Sequence, residues 1–228
     1  MFRRKIVFSV DRTTPQIEFG ALTENDLEFK GDSSIFVNIT LTDSNLANVT
    51  YSLYNITSIV NRTVFTTSTL TINFTNLNIG NYSYEVNATD TVNSRNSTGL
   101  RRITILPSCL VPPVNCVEGT SCSITQSCYL RSDLCTSSIC DFANFNFNAS
   151  NIYVYTLYNS SNDANNLVLN LSGNISFGSN NGFIFSGKNG STASGAAGRG
   201  GHGGIVNITV PNLFNRTNSR FIGIGGRS

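Results

Sequence analysis

The sequence predicts an all-β fold in two parts, and three observations predict it. Short runs of alternating apolar and polar residues, separated by turn residues, recur along the 228-residue chain, and apolar spacing of the helical kind is absent. Asn, Ser and Thr number 31, 28 and 24, about 36% of the chain, while charged residues make up 12% against the roughly 25% of an ordinary soluble domain. An apolar share of 39% and a net charge of +2 leave enough material for a core and no charge excess of the disordered kind. The same near-neutral balance offers no basic footprint for nucleic acid and no polybasic patch for a membrane.

Met1, Phe2, Arg3, Arg4 and Lys5 have the basic character of a signal peptide's start. The apolar run that follows is only Ile6, Val7, Phe8 and Val10 before Asp11, shorter than the roughly 7 to 15 residues such a signal uses. No stretch approaches the roughly 18 apolar residues of a membrane span. At the other end, Phe221, Ile222 and Ile224 run into Gly225, Gly226, Arg227 and Ser228. The expectation is an internal piece of a longer secreted protein, with no membrane insertion within the segment.

Residues 11–106 predict a β-sandwich. Ile35, Val37, Ile39 and Leu41 point one way and Asn38, Thr40 and Thr42 the other; Val49, Tyr51 and Leu53, then Leu70, Ile72 and Phe74, repeat the arrangement. Tyr82, Tyr84, Val86 and Ala88 form a further inward row after the turn glycine Gly80, and Ile103 and Ile105 close the set. From Leu77 to Asp90 the spacing Leu-x-x-Gly-x-Tyr-x-Tyr-x-Val-x-Ala-x-Asp resembles the penultimate strand of immunoglobulin-like (Ig-like) and fibronectin-like surface modules. That resemblance implies a tyrosine corner at Tyr82, its hydroxyl bonded to backbone a few residues upstream. Asp11, Thr13, Thr14 and Pro15, with Arg12 inserted, likewise resemble the Asp-Thr-Thr-Pro opening of tandem Ig-like repeats of bacteria and archaea. The resemblance implies that residues 1–10 are the stub of a preceding module. Asp43 and Asp90 stand at strand ends and carry oxygens of the type calcium takes, but without a D-x-D-x-D loop they are expected to be turn residues, and no metal is expected.

All six cysteines fall in residues 107–140, at Cys109, Cys116, Cys122, Cys128, Cys135 and Cys140. An even number at dense spacing predicts a disulfide-stapled connector formed in an oxidising compartment; neither Cys-x-x-Cys pairs nor nearby histidines support zinc. Six cysteines allow 15 connectivities, and the sequence does not choose among them.

In residues 141–228 the alternation returns in short runs: Leu167, Leu169 and Leu171; Ile175 and Phe177; Phe183 and Phe185; Val206, Ile208 and Val210. Glycine turns and stacked Asn and Ser positions resemble the start of a right-handed parallel β-helix of large surface proteins, although no fixed repeat length can be read. A second sandwich or jelly roll is the alternative. Gly198, Gly200 and Gly203 formally match G-x-G-x-x-G, but no strand precedes and no helix follows, so a loop is expected and His202 is an exposed loop residue. Asp141 and Asp163 are the only acids of this region, too few and too early in it to converge as a catalytic pair, and no nucleophile motif is present. No enzyme activity and no cofactor are expected.

The sequon Asn-x-Ser/Thr occurs at Asn38, Asn48, Asn55, Asn61, Asn73, Asn81, Asn87, Asn96, Asn148, Asn159, Asn170, Asn174, Asn189, Asn207 and Asn215. Composition alone predicts about 7, so the acceptor pattern is in roughly twofold excess, and these are candidate N-glycosylation sites. Asn38, Asn48, Asn73, Asn81, Asn87, Asn170, Asn174 and Asn207 fall on the solvent parity of their strands. The function these features imply is that of a structural spacer or adhesion module within a secreted or cell-surface protein. Its expected partners are cell-surface glycans or proteins and neighbouring repeats of the same chain. The runner-up is the accessory region of an extracellular polysaccharide-degrading enzyme.

Overall fold

The computed structural model describes residues 13–157, 166–186, 206–211, 214–215 and 220–224. The fold is all-β, as expected, with two single 3-10 turns as its only helical pieces among the described residues. The chain falls into two compact units: one within Met1–Asp26, Ile35–Phe74 and Tyr82–Arg102, the other within Leu27–Ser34, Thr75–Asn81 and Ile103–Ser228. Residues 27–34, 75–81 and 103–106 fall within the second unit.

The strands of residues 13–106 are β1 (Gln16–Phe19), β2 (Glu28–Lys30), β3 (Ile35–Thr42), β4 (Leu46–Asn55), β5 (Ile59–Phe65), β6 (Thr71–Phe74), β7 (Gly80–Asp90), β8 (Arg95–Ser97) and β9 (Arg101–Ile105). In the first unit β3 lies between β1 and β6, and β4 lies between β5 and β7 with β8 added to β7, all antiparallel. Period-two alternation decides which side chains enter the core: Ile35, Val37 and Ile39 from β3, Val49, Tyr51 and Leu53 from β4, and Tyr84, Val86 and Ala88 from β7 are almost wholly buried. Register supports the packing, because Val49, Tyr51 and Leu53 stand opposite Ala88, Val86 and Tyr84, so inward residues meet inward residues. Phe19 of β1 meets Tyr84 of β7 edge-on at 5.5 Å, which joins the two sheets as a sandwich.

The second unit takes in β2 and the end of β9, which pair in parallel from Glu28 opposite Ile103 to Lys30 opposite Ile105. It continues with β10 (Cys122–Ile124), β11 (Cys128–Tyr129), β12 (Cys140–Phe142), β13 (Phe145–Phe147), β14 (Tyr153–Tyr155), β15 (Leu167–Leu171), β16 (Ile175–Ser176), β17 (Gly182–Ser186), β18 (Val206–Thr209), β19 (Phe214–Asn215) and β20 (Arg220–Ile224). These strands form three parallel ladders, β10-β13-β16-β19, β11-β14-β17-β20 and β12-β15-β18, so the chain visits each ladder in turn and returns to the first one layer on. Each strand is only a few residues long; those of the inner layers, β13 to β17, pair with the layer on either side rather than with a hairpin partner.

Equivalent positions stack. Cys122, Phe145 and Ile175 follow one another in the first ladder, Cys128, Val154 and Phe183 in the second, and Cys140, Leu169 and Ile208 in the third. The rings of Phe145, Phe147, Phe177 and Phe183 fill the interior with centroids 5.0 to 6.2 Å apart. Polar residues stack outside: Ser176 donates to Asn146 at 2.7 Å and Asn170 to Asp141 at 2.8 Å. Asn144 accepts from the backbone of Asn174 at 2.8 Å, an arrangement that needs glycine at position 173, where a Cβ would stand 2.4 Å from the Asn144 Oδ1.

Residues 107–140, the cysteine-rich connector of the sequence reading, carry three of these strands. The strands β10, β11 and β12 are the first layer of the three ladders, and all six cysteines belong to the same buried cluster as the phenylalanines. Half-cystine is small and apolar enough to occupy the inward positions that Phe, Val and Leu take in later layers.

Candidate functional site

The cysteines pair as Cys109–Cys128, Cys116–Cys122 and Cys135–Cys140, leaving none free. Proximity created by the ladders selects this connectivity. Ser108 bridges in parallel to Tyr129, and the Cys109 N–H donates to the Tyr129 carbonyl at 2.9 Å, so the segment that begins at Ser108 lies against the outer edge of β11. Two disulfides tie that segment to β11 and β10, and the third closes the turn that leads into β12. An exposed ladder edge invites unwanted pairing, and at β11 the disulfide-tied segment occupies that edge.

Beside this layer, within the second unit, lies a cleft of about 270 Å³ whose walls include Phe29, Lys30, Asp32, Tyr129, Arg131 and Leu157. Gly31 allows it to form, because a Cβ there would stand 2.7 Å from the Tyr129 ring. Phe29 stacks on Tyr155 at 4.5 Å, and burial, reinforced by the charge of Tyr153, pushes the Tyr155 phenol up to about 12. The Arg131 guanidinium sits 6.0 Å above the Tyr129 ring. Lys30 is 7% exposed with its ammonium 3.2 Å from Asp32. Arg131 Nε lies 3.0 Å from the Asp133 carboxylate, a close charge contact without hydrogen-bond alignment. The cleft thus offers an aromatic face, two cations and a carboxylate, groups suited to holding a polar ring.

The remaining acids of the layers have structural partners. Desolvation pushes the Glu118 carboxyl up, but the Thr136 N–H and hydroxyl and the Asp141 N–H outweigh it and hold the group below the ordinary carboxylate range. Asp141 accepts from Asn170. Asp90 Oδ1 accepts from the backbone of Val92 and Ser94 at 2.9 and 2.7 Å, and Asp43 Oδ1 from Asn45 at 2.7 Å, so each organises a turn. No cluster of three or more metal-ligating side chains occurs among the described residues.

Tyr82, the residue given the corner role, is buried at the start of β7. The hydroxyl of the fully buried Tyr84 donates to the Glu24 carbonyl 60 residues upstream. Of the sequon asparagines, Asn55, Asn61, Asn73, Asn81, Asn148, Asn170, Asn174 and Asn207 are exposed, and Asn38, Asn48, Asn87 and Asn96 are half-buried. The Asn38 and Asn96 amides donate to the carbonyls of Ala21 and Pro15, each at 2.9 Å. Asn81 accepts from the Thr104 hydroxyl at 2.8 Å. Asn159, Asn189, His202, Asp163, residues 1–10 and the 198–203 glycine motif lie outside the described residues, as does the Asn215 side chain. None of the helical pieces described is long and apolar enough to cross a membrane.

No family model matches the chain, and no curated protein matches it. Among solved structures it is similar to the fibronectin(III)-like modules of Clostridium thermocellum CbhA, with 15% identity, 40% of this chain and 94% of that one covered, and a TM-score of 0.31. It is also similar to the pectate lyase Pel3 of Pectobacterium carotovorum, with 10% identity over 87% of this chain and 63% of that one and a TM-score of 0.30. An engineered protein matches at 9% identity, 40% of this chain and 20% of that one covered, and a TM-score of 0.32. All three scores lie below the level that marks a shared fold.

Proposed function

We propose that this chain is a non-catalytic region of a large secreted or cell-surface protein, serving as a structural spacer or adhesion module. In this reading an Ig-like sandwich is followed by the opening of a right-handed parallel β-helix, and the three parallel ladders support that description of the second unit. The observation that carries the non-catalytic reading is the employment of the acids: Asp32, Asp133, Asp141 and Glu118 are each held by a neighbouring cation, amide or hydroxyl. General acid and base pairs need carboxyls that face a common substrate space, and these face their structural partners. Three disulfides, formed only where thiols are oxidised, support residence outside the cytoplasm.

The partner in this reading is a cell-surface glycan or protein, with the Tyr129 and Arg131 rim as the contact. Incubation with a panel of polysaccharides, followed by assay for new reducing ends and unsaturated products, is expected to show no turnover. Release of either product would overturn the non-catalytic reading. On a glycan array and in cell-adhesion assays, Tyr129→Ala and Arg131→Ala are expected to abolish whatever binding the unaltered protein shows, while binding that survives both would place the contact elsewhere.

A further inference from the structure

β5 is the outermost strand of its sheet and is hydrogen-bonded only to β4 among the described strands. Its first four residues are exposed on both faces, and Ile56, Ile59, Val60 and Val64 on the hairpin and strand are 85%, 53%, 43% and 54% exposed. An apolar edge with unpaired backbone groups is a template for another strand, and proteins ordinarily guard such an edge with Lys, Glu or Pro. Here Arg62 is the strand's one charge. The same hairpin carries two exposed sequons, Asn55 and Asn61. Asn55 Oδ1 accepts from the Thr57 N–H and hydroxyl, both at 2.9 Å, and Asn61 Oδ1 accepts from the Thr63 hydroxyl at 2.9 Å. In both, the hydroxyl of the sequon orients the carboxamide by its oxygen, and the Nδ2 donates to no protein group among the described residues. Asn38, Asn96 and Asn170 differ, since their Nδ2 atoms are spent on protein acceptors.

We propose that Asn55 and Asn61 are modified with N-linked glycans whose sugars cover β5 and keep its edge from pairing. The step joins Nδ2 to the anomeric carbon of a polyprenyl-diphosphate-linked oligosaccharide. The carbon–oxygen bond to the diphosphate breaks, the lipid diphosphate leaves with the bonding pair, and an Nδ2 proton passes to a base of the transferase. The proposal rests on the export of the chain inferred above.

Peptide mapping of the protein purified from its own host tests both together. Three intact disulfides with sugar on Asn55 and Asn61 are expected. Intact disulfides with both asparagines bare would overturn the glycan proposal while leaving export standing, and free thiols throughout would overturn both. The shielding role is tested by sedimentation velocity on Asn55→Gln/Asn61→Gln and on unaltered protein whose glycans have been enzymatically removed. Either treatment is expected to tighten self-association at least about tenfold with the far-ultraviolet spectrum unchanged. Self-association unchanged by glycan removal would overturn the shield.

Discussion

Removing the disulfides one at a time separates what each contributes. Cys109–Cys128 closes a loop of sequence separation 19, whereas Cys116–Cys122 and Cys135–Cys140 close loops of 6 and 5. Loop-closure entropy then assigns about 3.2 kcal/mol to the first and about 2.2 and 2.1 kcal/mol to the others at 25 °C. Replacing each pair by alanine deletes the same atoms from largely buried positions, so lost packing is similar in all three variants. The difference of about 1 kcal/mol reports the loop term. Equilibrium urea unfolding under oxidising conditions measures it, with the transition of the second unit fitted separately because the chain has two units. With m between about 1 and 3 kcal/mol/M, Cys109→Ala/Cys128→Ala should have its midpoint about 0.3 to 1 M below the other two variants. A long-loop variant at least as stable as either short-loop variant would refute the entropic reasoning and make packing around the sulfurs the dominant contribution.

Three other perturbations test the packing and the buried polar groups. Phe145→Ala removes a fully buried ring from the phenylalanine cluster and should cost about 3 to 5 kcal/mol in the second unit, leaving the transition of the first unit in place in the same urea titration. Asn181 is wholly buried, accepts from the Ile152 N–H at 3.1 Å and donates to the Ala149 carbonyl at 2.6 Å; Asn181→Ala should cost about 1 to 3 kcal/mol, and Asn181→Asp, which keeps the acceptor and loses the donor, should not restore stability. Tyr51→Phe loses the 2.8 Å bond to the Thr69 carbonyl, at a cost of about 1 kcal/mol near neutral pH. Burial raises the Tyr51 phenol to about 12 from 10.0, so the folded state keeps a proton that the unfolded state releases first. The stabilisation from the neutral phenol is therefore intact below pH 10 and declines as pH rises towards about 12. Urea midpoints followed from neutral to alkaline pH should fall less steeply for Tyr51→Phe than for the unaltered protein.

Much of the fold is legible in the residues where one face of a strand is buried and the other is wet. Val37 and Ile39 in β3, Tyr84 and Val86 in β7, and Leu167, Leu169 and Leu171 in β15 show clean alternation, and all are inward. β5 shows none, because an edge strand exposed on both faces has no inward parity to impose, and Ile59 and Val60 can be consecutive. The layered unit hides its repeat for a different reason. Cys122 pairs with Phe145, Phe145 with Ile175 and Ile175 with Phe214, spacings of 23, 30 and 39 residues, so no fixed repeat length accompanies strands that stack in register. The cleft was not visible at all. Phe29, Lys30 and Asp32 are about a hundred residues from Tyr129 and Arg131, and no local pattern marks residues that meet only after folding.

Composition and alternation by themselves determined that this chain is all-β, that Asn, Ser and Thr coat its strands, and that its six cysteines pair as disulfides. These are consequences of short-range chemistry: a side-chain period of two, the turn-forming preference of small polar residues, and the redox chemistry of thiols. Which cysteine meets which, how residues 27–34 and 103–106 come to pair, and which sequon amides are already spent on protein acceptors were decided only by the tertiary structure. Most of these join segments far apart in the chain, as Cys109 meets Cys128, Asn96 meets Pro15 and Glu28 meets Ile103, and a pairing between distant segments leaves no local pattern for a sequence to display.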